Sequence, residues 1–384
     1  MISPRKIIES NLYINDFMRK TLFSQYNKKV SDFIKEVDEI DCIEEFDDFK
    51  VFMNNFKDIY TGGLFSVKRS FSESLLYGHV HSFADYADFS PGSFKYFPII
   101  EHGIHFGMRV TKPCFPRAFQ GAYLIPRYRE VYGNHFPLYC LGPMLHYVKP
   151  YYDEKHTFDL KAKLKKTLLV VPFHTHELSV GKGDCNKFID YVMNVEGKNY
   201  DTILVCAYWG DLENPIYRDF SSYGAKIVSA GFRGSPLFIK RLRTIIELAD
   251  SVVSDAVGTY LGYCMYLGKP VTLIEDNIKI DEFEKSEPQV TDFSLEQTKE
   301  KFFKYFAPGV QAFSEKQMDL YNLYWGSNSI KTPEEIRSIL SINEKIIKFA
   351  HGNISNICAA TEKIYNSDSM SELERKVLSE AISI

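Results

Sequence analysis

Between residues 167 and 276 the chain alternates apolar, β-branched runs with amphipathic segments, and this alternation restricts the fold more than any other feature. TLLVVPF (167–173), TILVCAYW (202–209), AKIVSAG (225–231), SVVSD (251–255) and KPVTLIED (269–276) read as strands. CNKFIDYVMNV (185–195), residues 213–222, SPLFIKRLRTIIELA (235–249) and GTYLGYCMYLG (258–268) read as helices, with Pro236 in the first turn of the third. Strands that are apolar throughout need cover on both faces. With helices between them, that predicts a parallel sheet in a doubly wound α/β unit.

The flanking regions read differently. Residues 1–60 space apolar side chains helically, as in Ile7, Ile8, Leu12 and Phe17, then Phe33, Ile34 and Val37, and predict two or three helices. Residues 61–150 are rich in Gly, Pro, His and aromatics; YFPII and FPLYCLGP read as strands running into loops. DEKHTFDLKAKLKK (153–166) is charged, lacks Gly and Pro, and is expected to connect two domains. Helices are expected at 294–306, 312–323, 332–349, 353–365 and 370–382. The organisation is then a domain over 1–152, the connector, a second domain over 167–330 and closing helices over 331–384.

Composition excludes several classes. With 46 basic against 50 acidic residues the chain has no basic excess to displace counterions from a duplex, so no nucleic-acid partner is expected. The seven cysteines, at 42, 114, 140, 185, 206, 264 and 358, form no CxxC pair and read as reduced thiols of a cytoplasmic protein. The absence of an apolar leader and of an 18-residue apolar run predicts neither export nor a membrane span. Peripheral association at the inner face of the membrane stays open through the helices of residues 1–60.

Chemistry gathers where strands end, because parallel α/β sheets bind ligands beyond the carboxyl ends of their strands. Those ends carry His174 to Glu177, Trp209 to Asp211, Gly231-Phe232-Arg233-Gly234, Ser254-Asp255 with Gly258-Thr259, and Glu275 to Asn277. Gly258 and Thr259 open a helix whose free N–H groups favour an anion, with the Ser254 and Thr259 hydroxyls as donors. The alternative is that Ser254 or Asp255 merely caps the helix. Arg233 between two glycines suits a phosphate clamp, or else is an exposed turn arginine. His174 is expected to hydrogen-bond a ligand phosphate. In the first domain YFPII ends in Glu101-His102-Gly103, which presents an imidazole suited to proton abstraction and a carboxylate to orient it or act itself. His79 and His81, two apart, share a face if they lie on a strand; with Asp85 they are candidates for the acceptor side. No Cys lies near the His pairs, and no metal is expected.

No P-loop, GxGxxG after a strand, GxSxG elbow or DxD pair occurs. The run GFRGSPLFIKRLRTIIELADSVVSDAVGTYLGYCMYLGKPVTLIED resembles the donor-binding domain of GT-B glycosyltransferases. YFPIIEHGIHFG and FPLYCLGPMLHYV resemble bacterial transferases that assemble capsule or lipopolysaccharide O-antigen. The resemblance covers roughly residues 75–340. It implies two Rossmann-like domains facing a cleft, with the nucleotide diphosphate at Ser254, Gly258 and Thr259, the base at His102 or Glu101, and closing helices that brace the first domain. It further implies a nucleotide-sugar donor, a saccharide or lipid-linked acceptor, no other cofactor and, since no pair of Glu seven apart occurs at 247–275, inversion. The alternatives are a CMP-sugar transferase of the sialyl or Kdo type, a polyol-phosphate transferase, a non-hydrolysing sugar-nucleotide epimerase of the same architecture, and a non-catalytic scaffold.

Overall fold

The structure, a computed structural model, describes residues 10–22, 24–56, 76–90, 96–101, 104, 115–173, 179–182, 186–275, 279–282 and 293–383. It is an α/β architecture built on two parallel sheets. The first contains β1 (Ile99–Ile100), β2 (Arg117–Phe119) and β3 (Leu138–Cys140), in that order. The second draws on β4 (Thr167–Val171), β6 (Thr202–Ala207), β7 (Lys226–Ser229), β8 (Ser251–Ser254) and β9 (Val271–Leu273). An antiparallel ribbon pairs β5 (Ser179–Lys182) with β10 (Lys279–Glu282).

The five-stranded sheet has the order β7-β6-β4-β8-β9. Counted from β4, that is 3-2-1-4-5, the doubly wound order, with its switch point between β4 and β8. The covered-strand expectation holds residue by residue. Leu168 and Val170 point to one face, where Phe188, Val192, Ile216 and Phe220 meet them. Leu169 points to the other, with Ile239, Ile245, Leu261 and Cys264. The period of two in each strand puts alternate side chains into each layer.

Short strands in the first sheet follow from the sequence. Pro98 lacks the N–H that would extend β1, and β2 lies in PRAF, too brief to read as a strand. The expected connector is itself a helix, Glu154–Leu164, N-capped by Asp153, which accepts the His156 N–H at 2.7 Å.

Both termini pack away from their neighbours in sequence. Helix Pro333–Phe349, started by a Thr332–Glu335 capping box, packs on helices His79–Ala87 and Glu372–Ser383, and the last of these contacts β3. Arg129 from the first-sheet layer donates to the Ala381 carbonyl at 2.5 Å. Helices Ser24–Asp38 and Phe46–Asn55, by contrast, place Phe33, Val37, Phe49 and Met53 in the core of the five-stranded sheet. This differs from the expected grouping of residues 1–152. The physical reason is that β7 is an edge strand, and the Cys42 carbonyl accepts the Ser229 N–H there at 3.0 Å.

No helix among the described residues is long and apolar enough to cross a membrane. The five described cysteines are unbridged, and burial pushes the Cys206 thiol up to about 12.

Candidate functional site

The two sheets meet around helix Thr259–Tyr266. Its amino end follows β8 at the switch point, and Gly258 is its N-cap, in extended conformation and with no side-chain cap. Residues 256–260 are half-buried. A Cβ added at Gly258 would come within 2.8 Å of the Tyr260 ring, whose hydroxyl donates to the Ala256 carbonyl. The first N–H groups of the helix are uncapped by a side chain. Phe119 and Gln120, at the carboxyl end of β2, line one narrow pocket with Trp325, which bonds this helix, so the end of the first sheet reaches the helix through the indole.

Trp325 fastens this helix from the side. It is buried, and its Nε1–H donates to the Thr259 carbonyl at 3.2 Å. A Cβ at Gly262 would run into the indole ring. Gly262→Ala is therefore expected to cost about 1–3 kcal/mol, the usual scale of overpacking. A lowered melting temperature checks this; an unchanged one would show that the Trp325 ring can move aside.

Ser254 and Asp255 turn out to hold the sheet together. Ser254 is fully buried, and its hydroxyl donates to the Val171 carbonyl across the switch point. That engagement takes it away from a ligand, so its expected donor contact is corrected to the strand-locking role. The Asp255 carboxylate accepts the Phe173 N–H at 2.6 Å and fixes the end of β4.

The GFRGS loop beyond β7 is held in detail. Gly231 has φ +82, which a side chain would strain, and its missing Cβ leaves room for Arg241. A Cβ at Gly234 would strike the Phe232 ring. Arg233 is half-buried, its guanidinium 5.1 Å from the Trp209 ring centre at the end of β6. Burial pushes the Tyr208 phenol pKa up, against the nearby positive charge of Arg233.

Glu101 ends β1 and is nearly buried. Its Oε1 accepts from Arg117 Nη1 at 2.6 Å and from the Tyr128 hydroxyl at 2.8 Å. It lines a narrow pocket with Gln120, Tyr123 and Trp325. His102, Gly103, His174, His176, Glu177, Asp276 and Asn277 lie outside the described residues.

The second histidine set is corrected. His79, His81 and Asp85 lie on helix His79–Ala87, where residues two apart diverge instead of sharing a face. His79 is only 3% exposed, and Asp85 is ion-paired with Lys240 at 2.6 Å. Val80, Phe83, Ala84 and Ala87 are the buried apolar positions, at helical spacing, and they were the signal for this helix. Among the described residues no group of three or more His, Cys, Asp or Glu could hold a metal ion.

His146 ties this helix to the site helix. Its Nδ1 is 3.1 Å from the Tyr266 hydroxyl and its Nε2 is 3.5 Å from that of Tyr86. Burial, aided by Arg243, holds the imidazole below its ordinary value. A depressed folded value means the contribution to stability is present above the unfolded value near 6.5 and lost as pH falls through the folded one. His81, also held down by burial, adds in the same direction. Melting temperature should fall between about pH 7 and about pH 5, and less steeply in His146→Gln. An equal slope in the variant would remove His146 from that account.

Searches for similar proteins add no relative: no protein-family model matches the chain, and no curated protein does.

Proposed function

We propose that the chain is a GT-B-type, metal-independent, inverting glycosyltransferase. It moves a sugar from a nucleotide-sugar donor to a saccharide or lipid-linked acceptor in cell-surface polysaccharide synthesis. One observation carries the reading. The uncapped amino end of helix Thr259–Tyr266 lies at the switch point of a doubly wound sheet, and Trp325 ties it to the carboxyl end of a second parallel sheet. Free N–H groups and the helix dipole there favour an anion such as a nucleotide diphosphate. The return of the closing helices to the first sheet supports the same architecture.

In this reaction the acceptor oxygen attacks the anomeric carbon. The carbon–oxygen bond to phosphate breaks, and the nucleotide leaves with the electron pair. His102 takes the acceptor proton, with Glu101 orienting the reacting groups. Arg233, His174 and the N–H groups at Gly258 and Thr259 stabilise the charge that grows on the phosphate. Holding donor and acceptor together in one cleft supplies proximity.

Incubation with UDP-, GDP-, CDP- and CMP-sugars, with and without saccharide acceptors, tests the reading. Acceptor-dependent nucleotide release supports it, and the released nucleotide identifies the donor. Interconversion of sugar nucleotides without acceptor would identify an epimerase instead. If no nucleotide raises the melting temperature, the donor site does not exist as described.

A further inference from the structure

A groove of about 500 Å³ opens at the amino ends of the central strands, the end of the five-stranded sheet opposite the candidate site. Phe158, Lys161, Ala162, Lys165, Lys166 and Asp250 line it. Lys166 directly precedes β4, and Asp250 directly precedes β8. Helix Glu154–Leu164 buries Leu160 and Leu164, which leaves Phe158 outside at 72% exposure.

Three ammonium groups here face one carboxylate, and that carboxylate is already engaged. Asp250 Oδ1 lies 3.6 Å from Lys161 Nζ, and its Oδ2 accepts the Thr167 N–H at 2.8 Å. Lys166 has the Tyr200 ring, 4.8 Å from its ammonium, in place of an acid. Its backbone is fixed, since its carbonyl accepts the N–H groups of Asp201 at 2.8 Å and Thr202 at 3.1 Å. The chain as a whole carries −4, so this is a local excess of positive charge beside an exposed ring.

A basic residue in the last helical turn suits the helix dipole, which accounts for Lys161. It does not account for Lys165. That residue ends the helix at φ +59 and ψ −142, where glycine is at ease and a side chain is strained. Lysine at this position costs backbone energy, and strain of this kind gathers at ligand sites.

We propose that the groove is a second anion site, which takes the phosphate of a phosphate ester between Lys161, Lys165 and Lys166, with the apolar part of the ester against Phe158. Ammonium groups bind phosphate as charge-assisted donors, and the volume is that of a small-molecule site. The inference is independent of the donor reading, because the groove and the candidate site occupy opposite ends of the strands.

Calorimetric titration of the full chain with inorganic phosphate and with phenyl phosphate tests it, using Lys165→Gly, Lys166→Met, Phe158→Ala and Arg233→Ala. Lys165→Gly should melt higher than the wild type, through relief of the backbone, yet bind phenyl phosphate about three- to tenfold more weakly. Lys166→Met should weaken binding similarly with its melting temperature kept. Phenyl phosphate should bind more tightly than inorganic phosphate, and Phe158→Ala should remove that preference. Arg233→Ala, at the other end of the sheet, should leave this binding intact. Cosedimentation with phosphatidylcholine vesicles, with and without phosphatidylglycerol, asks whether the phosphate belongs to a lipid headgroup. Binding that needs phosphatidylglycerol and is lost in both lysine variants assigns it to the lipid; binding of the soluble ester alone assigns it to a free ligand. A higher melting temperature in Lys165→Gly with undiminished binding in both assays would reduce the lysines to helix-end residues and overturn the site. Equal binding of the two soluble phosphates would overturn the part given to Phe158.

Discussion

Alanine at position 241 is expected to cost about 3–5 kcal/mol of stability, the scale on which a buried ion pair breaks when one partner is removed. Arg241 is 0% exposed. Its Nη1 lies 3.4 Å from Asp38 Oδ1, and its Nη2 donates to the carbonyls of Asp38 at 3.1 Å and Ile40 at 2.9 Å. The guanidinium also lies 5.0 Å from the Tyr151 ring centre. Truncation strips all of these at once. Among these partners the Asp38 carboxyl would keep the Ser235 hydroxyl, and the Asp38 and Ile40 carbonyls would lose the guanidinium donor. Lysine cannot reproduce the planar fork, so Arg241→Lys should fall between alanine and the wild type. Asp38 adds a pH signature. Burial already raises its pKa, against the pull of Ser235 and Arg241, and without Arg241 it should rise further. A raised folded value means stability is lost as pH rises through it, so the deficit of Arg241→Ala should shrink toward about pH 4. Urea denaturation at two pH values measures both effects. An unshifted midpoint would show that packing alone holds the helices to the sheet.

Turnover in His102→Ala is expected to fall about 10²–10⁴-fold with nucleotide affinity kept, the signature of a lost general base. Glu101, the residue before it, is held in place by its neighbours. The Glu101 N–H donates to the Ala118 carbonyl at 2.9 Å, which anchors the end of β1. Its Oε1 already accepts from Arg117 and from Tyr128. A carboxylate engaged in this way suits orienting a neighbour better than taking a proton, which leaves proton transfer to the imidazole. Glu101→Gln should therefore lose less turnover than His102→Ala. Single-turnover kinetics beside equilibrium titration separate chemistry from binding. Wild-type turnover in His102→Ala would reject the base assignment, and a larger loss in Glu101→Gln would exchange the two roles.

The five-stranded sheet was legible because each strand is a β-branched run followed by an amphipathic stretch, and covered parallel strands leave that pattern in any sequence. The closing helices were legible for a similar reason: Pro333–Phe349 begins with a capping box and repeats its apolar residues at helical spacing. The direction of a single side chain was harder to read. Ser254 looked available because it precedes a glycine-led helix, but it points into the seam beside β4, where its hydroxyl meets Val171. His79 and His81 misled because two-residue spacing has meaning only once strand or helix is known. The left-handed turn at Tyr77 (φ +60) left no trace, since its N–H is held by the Arg233 carbonyl, more than 150 residues further on. The Asp38–Arg241 pair is equally silent, because nothing local marks two charges 203 residues apart as partners.

The threading of the chain has a consequence for how it is made. Phe33, Val37, Phe49 and Met53 leave the ribosome early, yet the surface that covers them belongs to strands ending near Ser229 and beyond. The first sheet in turn waits for helices that finish at Ser383. Neither half can complete its interior while synthesis continues, so greasy surface stays uncovered for most of translation. Such long-range closure slows folding and invites aggregation of nascent chains. Production of either half as an isolated fragment should accordingly yield insoluble material, and slower elongation at low temperature should not by itself cure the problem.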